Sequence, residues 1–129
     1  MLLPVPFSMM KPKRQHLVFL ELLVTTHQTQ RQALLQNLSN SQVNFLSNIL
    51  RNILRSNIVL EQDHRSKLLR YAAVIRRLAG KGTPISIKED LFKKHHKLTV
   101  LIFKPLLPLL KQKFCHGSRD DLGTNGAMA

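Results

Sequence analysis

Between Ser41 and Ser56 the apolar residues Val43, Leu46, Ile49, Leu50, Ile53 and Leu54 recur at the i, i+3, i+4, i+7 spacing of one helical face. Asn44, Ser47, Asn48, Arg51 and Arg55 fall on the other side. A stripe of this width has to be buried against further elements, and elsewhere in the chain nothing alternates apolar and polar residues for long enough to build a sheet. No internal repeat is visible either. The class expected is therefore all-α, a small bundle of four to five short helices.

The remaining helices follow from the same periodicity. From Lys13 to about Thr26, Leu17, Leu20 and Val24 form one face, widened by Phe19, Leu22 and Leu23. A second segment, about Thr29 to Leu38, sets Ala33, Leu34 and Leu38 on one side with Thr29 as its expected N-cap. Ser39-Asn40-Ser41 breaks the run before the well-patterned third helix. A fourth helix is expected from Glu61 to Ala79, with acids in its first turn, Arg76 and Arg77 in its last, and a stripe of Leu68, Tyr71, Ala72, Ile75, Leu78 and Ala79. Gly80 and Gly82 stop it. Ser86-Ile87-Lys88-Glu89 has the form of a capping box opening one more helix, which runs through Leu91 and Phe92 into the apolar stretch Leu98 to Leu110. The domain organisation expected is a disordered segment over 1–12, a basic helical domain over 13–113 and a disordered tail over 114–129.

Charge is the second constraint. The 129 residues carry twenty Lys and Arg against seven Asp and Glu, a formal charge of +13. Ten of those bases lie between Arg65 and Lys97, where the only acids are Glu89 and Asp90. An excess of one sign spread over adjacent helices favours a polyanionic partner, with affinity arising from counterion release. The residues expected to contact nucleic acid are Lys67, Arg70, Arg76, Arg77, Lys81, Lys88, Lys93, Lys94 and Lys97. An anionic membrane or an acidic protein is a further partner such a charge would meet. Sequence-specific reading is not expected, because the Asn57 to Leu60 turn is too apolar for a helix-turn-helix and aromatic residues are not interleaved with the bases.

An alternative site is the run from Leu98 to Leu110. At thirteen residues, interrupted by Lys104, Pro105 and Pro108, it falls short of the roughly 20 apolar residues that span a bilayer. It could lie on a membrane or partner helix through Leu101, Phe103, Leu106, Leu107 and Leu110, with lysines at its edges. The other reading makes it the last core helix, and a bundle this small needs that area.

No catalytic residues, cofactor or metal site are expected. His95 and His96 are adjacent and point apart, and His64 near Asp63 and His116 beside Cys115 do not supply the paired Cys or His that a structural zinc site needs at both ends. Gly80-Lys81-Gly82-Thr83 lacks the spacing of a phosphate-binding loop. Cys115 is the single cysteine, so no intrachain disulfide forms. At the N-terminus the basic residues follow the apolar ones, the reverse of a secretory signal. The expected location is intracellular, nuclear or virion-associated, and not secreted.

Gln42-Val-Asn-Phe-Leu-Ser-Asn-Ile-Leu50, then Asn52-Ile-Leu-Arg-Ser-Asn57, then Leu68 through Tyr71 to Ile75-Arg-Arg-Leu-Ala79 with Lys81, and the final Leu- and Pro-rich run carry a resemblance. Over residues 32–110 the chain resembles short basic proteins of unknown function found beside adenovirus-like mobile DNA in animal genomes, the Maverick or Polinton elements and adintoviruses. The resemblance implies a virion or element accessory protein, DNA-associated or membrane-active, and supplies no catalytic residues. Where that group carries an unbroken lysine cluster and a Gly-Gly-Phe step, this chain has Glu89 and Asp90 within the cluster and Lys94-His95-His96-Lys97 in place of the glycines.

Overall fold

A computed structural model describes residues 13–55, 58 and 60–112. The segments 1–12 and 114–129, expected to be disordered, lie outside the described residues, as do Cys115 and His116. The described chain is helical throughout, with no strand. Its elements are α1 (Arg14–Thr25), α2 (Gln28–Gln36), α3 (Asn40–Leu54), α4 (Gln62–Leu69), α5 (Ala72–Ala79), α6 (Ile85–Lys94) and α7 (His96–Phe103). A last short helix, α8, occupies residues 107–112.

The expectation of four to five helices was too low because two of them break where the sequence shows no Gly or Pro, and the last is broken once more at residues 104–106, around Pro105. The stretch expected as one helix from Glu61 to Ala79 is divided at Arg70 and Tyr71, where Tyr71 has φ −112° and ψ 18° and its N–H bonds the Leu68 carbonyl at 2.9 Å. The break lets α4 pack on α7 while α5 packs on α3. A straight helix presents one stripe and could not serve both neighbours. The same holds at His95, with φ −110° and ψ 47°, which separates α6, packed on α2, α3 and α5, from α7, packed on α1, α2 and α4, so that the two share α2 and differ in their other neighbours.

α3 organises the core as its spacing implied. Val43, Leu46, Ile49 and Leu50 are fully enclosed and meet Leu78 and Ile75 of α5 and Phe92 of α6 in one apolar cluster. Leu20 and Leu23 of α1, Leu35 of α2, and Ile102 and Phe103 of α7 complete it. Each such side chain contributes about 1.5–3 kcal/mol relative to an exposed position.

Helix ends are satisfied in ways only partly foreseen. The capping box is at Ser39, not Ser86: Ser39 Oγ accepts from the Gln42 amide at 3.1 Å, and Gln42 Oε1 accepts from the Ser39 amide at 2.9 Å. Ser86 instead lies inside α6, because the amides of Ile87 and Lys88 both reach the Pro84 carbonyl at 3.1 Å and start the helix at Ile85. Thr29 likewise lies inside α2, whose N-cap is His27 without a side-chain bond. Ser39→Ala removes the bond that Oγ accepts from the Gln42 amide, leaves the backbone Ser39 N–H to Gln42 Oε1, and is expected to destabilise the fold by about 1 kcal/mol. A lower urea midpoint at unchanged slope would register that loss.

At the C-terminal ends, neighbouring helices supply donors. Arg31 of α2 donates from Nε to Leu23 O and from Nη2 to Thr26 O, both at 3.2 Å, closing α1. Ser47 Oγ donates to Leu78 O at 2.8 Å and Arg51 Nη1 to Ala79 O at 2.7 Å, so two side chains of α3 close α5. Such bonds satisfy the carbonyls a helix leaves unpaired and tie α3 to α5 in register. Gly80 follows with φ −66° and ψ 135°, an extended conformation open to any residue. Its glycine is explained by crowding, since a Cβ there would sit 3.1 Å from Thr83 Oγ1 and 3.2 Å from Arg76 O.

Candidate nucleic-acid interface

The cations expected to bind nucleic acid are distributed over four successive elements. Lys67 and Arg70 are on and just after α4, Arg76 and Arg77 in the last turn of α5, Lys81 in the turn beyond it, Lys93 and Lys94 in the last turn of α6, and Lys97 near the start of α7. All eight are exposed. Lys67, Arg70, Arg76, Arg77, Lys93, Lys94 and Lys97 are in no ion pair among the described residues, where Lys111 pairs with Glu21 at 3.4 Å.

Part of this arrangement serves the helices themselves. Basic residues in the last turns of α4, α5 and α6 oppose the partial negative charge at those helix ends, worth about 0.3–1 kcal/mol at each. Arg70, Lys81 and Lys97 lie outside those last turns.

Lys88 does not share this environment. Its side chain is 4% exposed, on the α6 face that also buries Leu91 and Phe92. Burial, and secondarily the nearby Arg51, lower its pKa from the ordinary 10.5. Burial also lowers the Arg51 pKa, with Arg55 adding repulsion. The i, i+3, i+4 relation of Lys88 to Leu91 and Phe92 was the sequence signal that put it on the apolar stripe. As a surface contact for a polyanion, Lys88 is corrected to an interior residue.

A buried cation without a carboxylate partner destabilises the fold at neutral pH. Since the folded chain releases the Lys88 proton more readily, the unfolded chain binds more protons between the lowered value and 10.5, and stability rises with pH across that window. Lys88→Met is therefore expected to raise the thermal midpoint at pH 7 by a few degrees, the shift that about 1 kcal/mol produces in a domain of this size. Melting curves at pH 7 and pH 10 should show the advantage shrinking at the higher pH.

The alternative site is placed in the core. Phe103, Leu106 and Leu110 are buried, and Leu101 and Leu107 are half-buried against the same cluster. Leu109 is the large side chain of that run left exposed. Among the described residues no helix is long and apolar enough to cross a membrane.

The histidines have structural surroundings. His64 is buried and its Nε2 donates to the Leu101 carbonyl at 2.9 Å, joining α4 to α7. His16 stacks on Phe45 with ring centroids 5.1 Å apart, and burial, followed by Lys13, lowers its pKa. Among the described residues no three His, Cys, Asp or Glu side chains are grouped to hold a metal. Comparison of the chain with protein-family models, curated proteins and solved structures gave no match.

Proposed function

We propose that this protein binds nucleic acid without sequence preference, as a polyanion, through Lys67, Arg70, Arg76, Arg77, Lys81, Lys93, Lys94 and Lys97. The observation that carries the proposal is the exposure of all eight along the α4 to α7 stretch, with Lys67, Arg70, Arg76, Arg77, Lys93, Lys94 and Lys97 in no ion pair among the described residues. Lys and Arg in such settings contact phosphates, which fix position and supply affinity but carry no sequence information. The reading is of a binding protein, not an enzyme. Its resemblance over residues 32–110 to proteins of adenovirus-like mobile elements supports a role as a virus- or transposon-derived accessory component, with a nuclear or virion-associated location.

The test is direct binding of labelled 30-base-pair duplexes of unrelated sequence at 50 mM salt, read by fluorescence anisotropy. Equal affinity across sequences is expected. Absence of binding, or a tenfold or larger preference for one sequence, would sink the proposal.

A further inference from the structure

On the side of the bundle where α3 ends, Ile53 and Leu54 meet Ile58, Leu60, and Leu68, Leu69, Ala72 and Ile75 of α4 and α5 around an open groove of about 270 Å³. Two of its leucines are unusually bare: Leu69 is 66% exposed and Leu54 46%. Arg65 and Arg76 stand among the lining residues, both exposed and both outside any ion pair among the described residues. The groove is thus apolar along its floor with guanidinium groups at its margin.

We propose that this groove is a docking site for an acidic amphipathic helix of another protein, goes beyond nucleic-acid binding, and shares only Arg76 with that face. The volume is at the lower edge of the roughly 300–1,000 Å³ of small-molecule sites, enough for a few aliphatic side chains of a partner helix. Leucine-type residues at i, i+3 or i+4, and i+7 would enter it, the mode by which amphipathic helices engage apolar grooves. The margin selects the charge of the partner. Arg forks pair carboxylates in bidentate geometry, so glutamates or aspartates beside the leucine stripe complement Arg65 and Arg76. A nucleic acid would gain little here, because no aromatic side chain lines the groove for a base to stack on.

The experiment uses the full chain and a fluorescein-labelled 18-residue helical peptide with leucines at i, i+3 and i+7 flanked by glutamates. Saturable binding in the range of about 10–100 μM is expected by anisotropy at physiological salt, within the affinities of modest interfaces. Leu69→Glu should weaken it at least tenfold while leaving the melting temperature unchanged, since Leu69 is on the surface. The double variant R65E/R76E should weaken it to a similar degree, and the same peptide with lysines for glutamates should bind at least tenfold less tightly than the acidic one. No saturable binding by 1 mM, or equal binding of the basic peptide, would overturn the proposal. Self-association abolished by Leu69→Glu would overturn it by assigning the groove to a second copy. Asp120 and Asp121 are the acids of the C-terminal tail, and peptide binding that appears only in the D120K/D121K chain would overturn the proposal by assigning the groove to that tail.

Discussion

Phe103→Ala is expected to lower the unfolding free energy by about 3–5 kcal/mol, the usual loss when a fully enclosed phenylalanine is truncated. Phe103 is completely buried between α7 and the elements it packs on, so the removed ring leaves both lost transfer energy and a cavity. Domains of this size are stable by about 5–15 kcal/mol in all, which makes this change a third of the total or more. A urea titration followed by circular dichroism reads the loss as a displaced midpoint, or as an unfolded baseline at zero urea. Leu109→Ala, six residues further on at an exposed position, should stay within about 0.5 kcal/mol. That contrast within one apolar run separates a core segment from a surface one. If both changes were equally mild, Leu98 to Leu110 would not be the core the structure describes.

The second large effect concerns charge. Replacing Arg76, Arg77, Lys93, Lys94 and Lys97 together by glutamine is expected to weaken duplex binding by about 10³-fold or more at 100 mM salt, since each phosphate contact contributes a counterion-release factor. These side chains are exposed and bury nothing in the core, so the variant should remain folded. Some helix-end stabilisation is lost at α5 and α6, where four of the five lie in last turns, but relief of repulsion among neighbouring cations offsets part of it. The salt slope of the variant should be shallower by about 0.9 per contact removed. An unchanged affinity in a variant that keeps its circular dichroism spectrum would show that these cations face no polyanion.

The helical class and the α3 face were legible from periodicity because a stripe such as Val43, Leu46, Ile49 and Leu50 has one physical solution, burial against other helices. The breaks at Tyr71 and His95 were not. They are imposed by α4 and α5 facing different partners, and by α6 and α7 sharing α2 but otherwise meeting different helices, and nothing in the local residues announces them. The misplaced capping box has a different origin. Ser39-Asn-Ser-Gln42 and Ser86-Ile-Lys-Glu89 both satisfy the pattern, and the carbonyl of Pro84, accepting the Ile87 and Lys88 amides, decides against the second.

The candidate site divides in the same way. Most of its lysines and arginines are exposed as their helical positions implied, whereas Lys88 was readable as interior from its spacing to Leu91 and Phe92. Arg31 and Arg51 acquire duties at the ends of α1 and α5 that depend on how distant segments meet. The groove beside Leu54 and Leu69 is likewise a product of packing, since it forms where three separate segments converge.

The most direct test of the account is the salt dependence of binding to a 30-base-pair duplex by the unaltered protein, plotted as log K against log salt concentration. With eight exposed cations on α4 to α7 available, the predicted line is straight with a slope between about −3 and −7. A slope near zero, or no binding at 50 mM salt, would contradict a polyanion-binding surface.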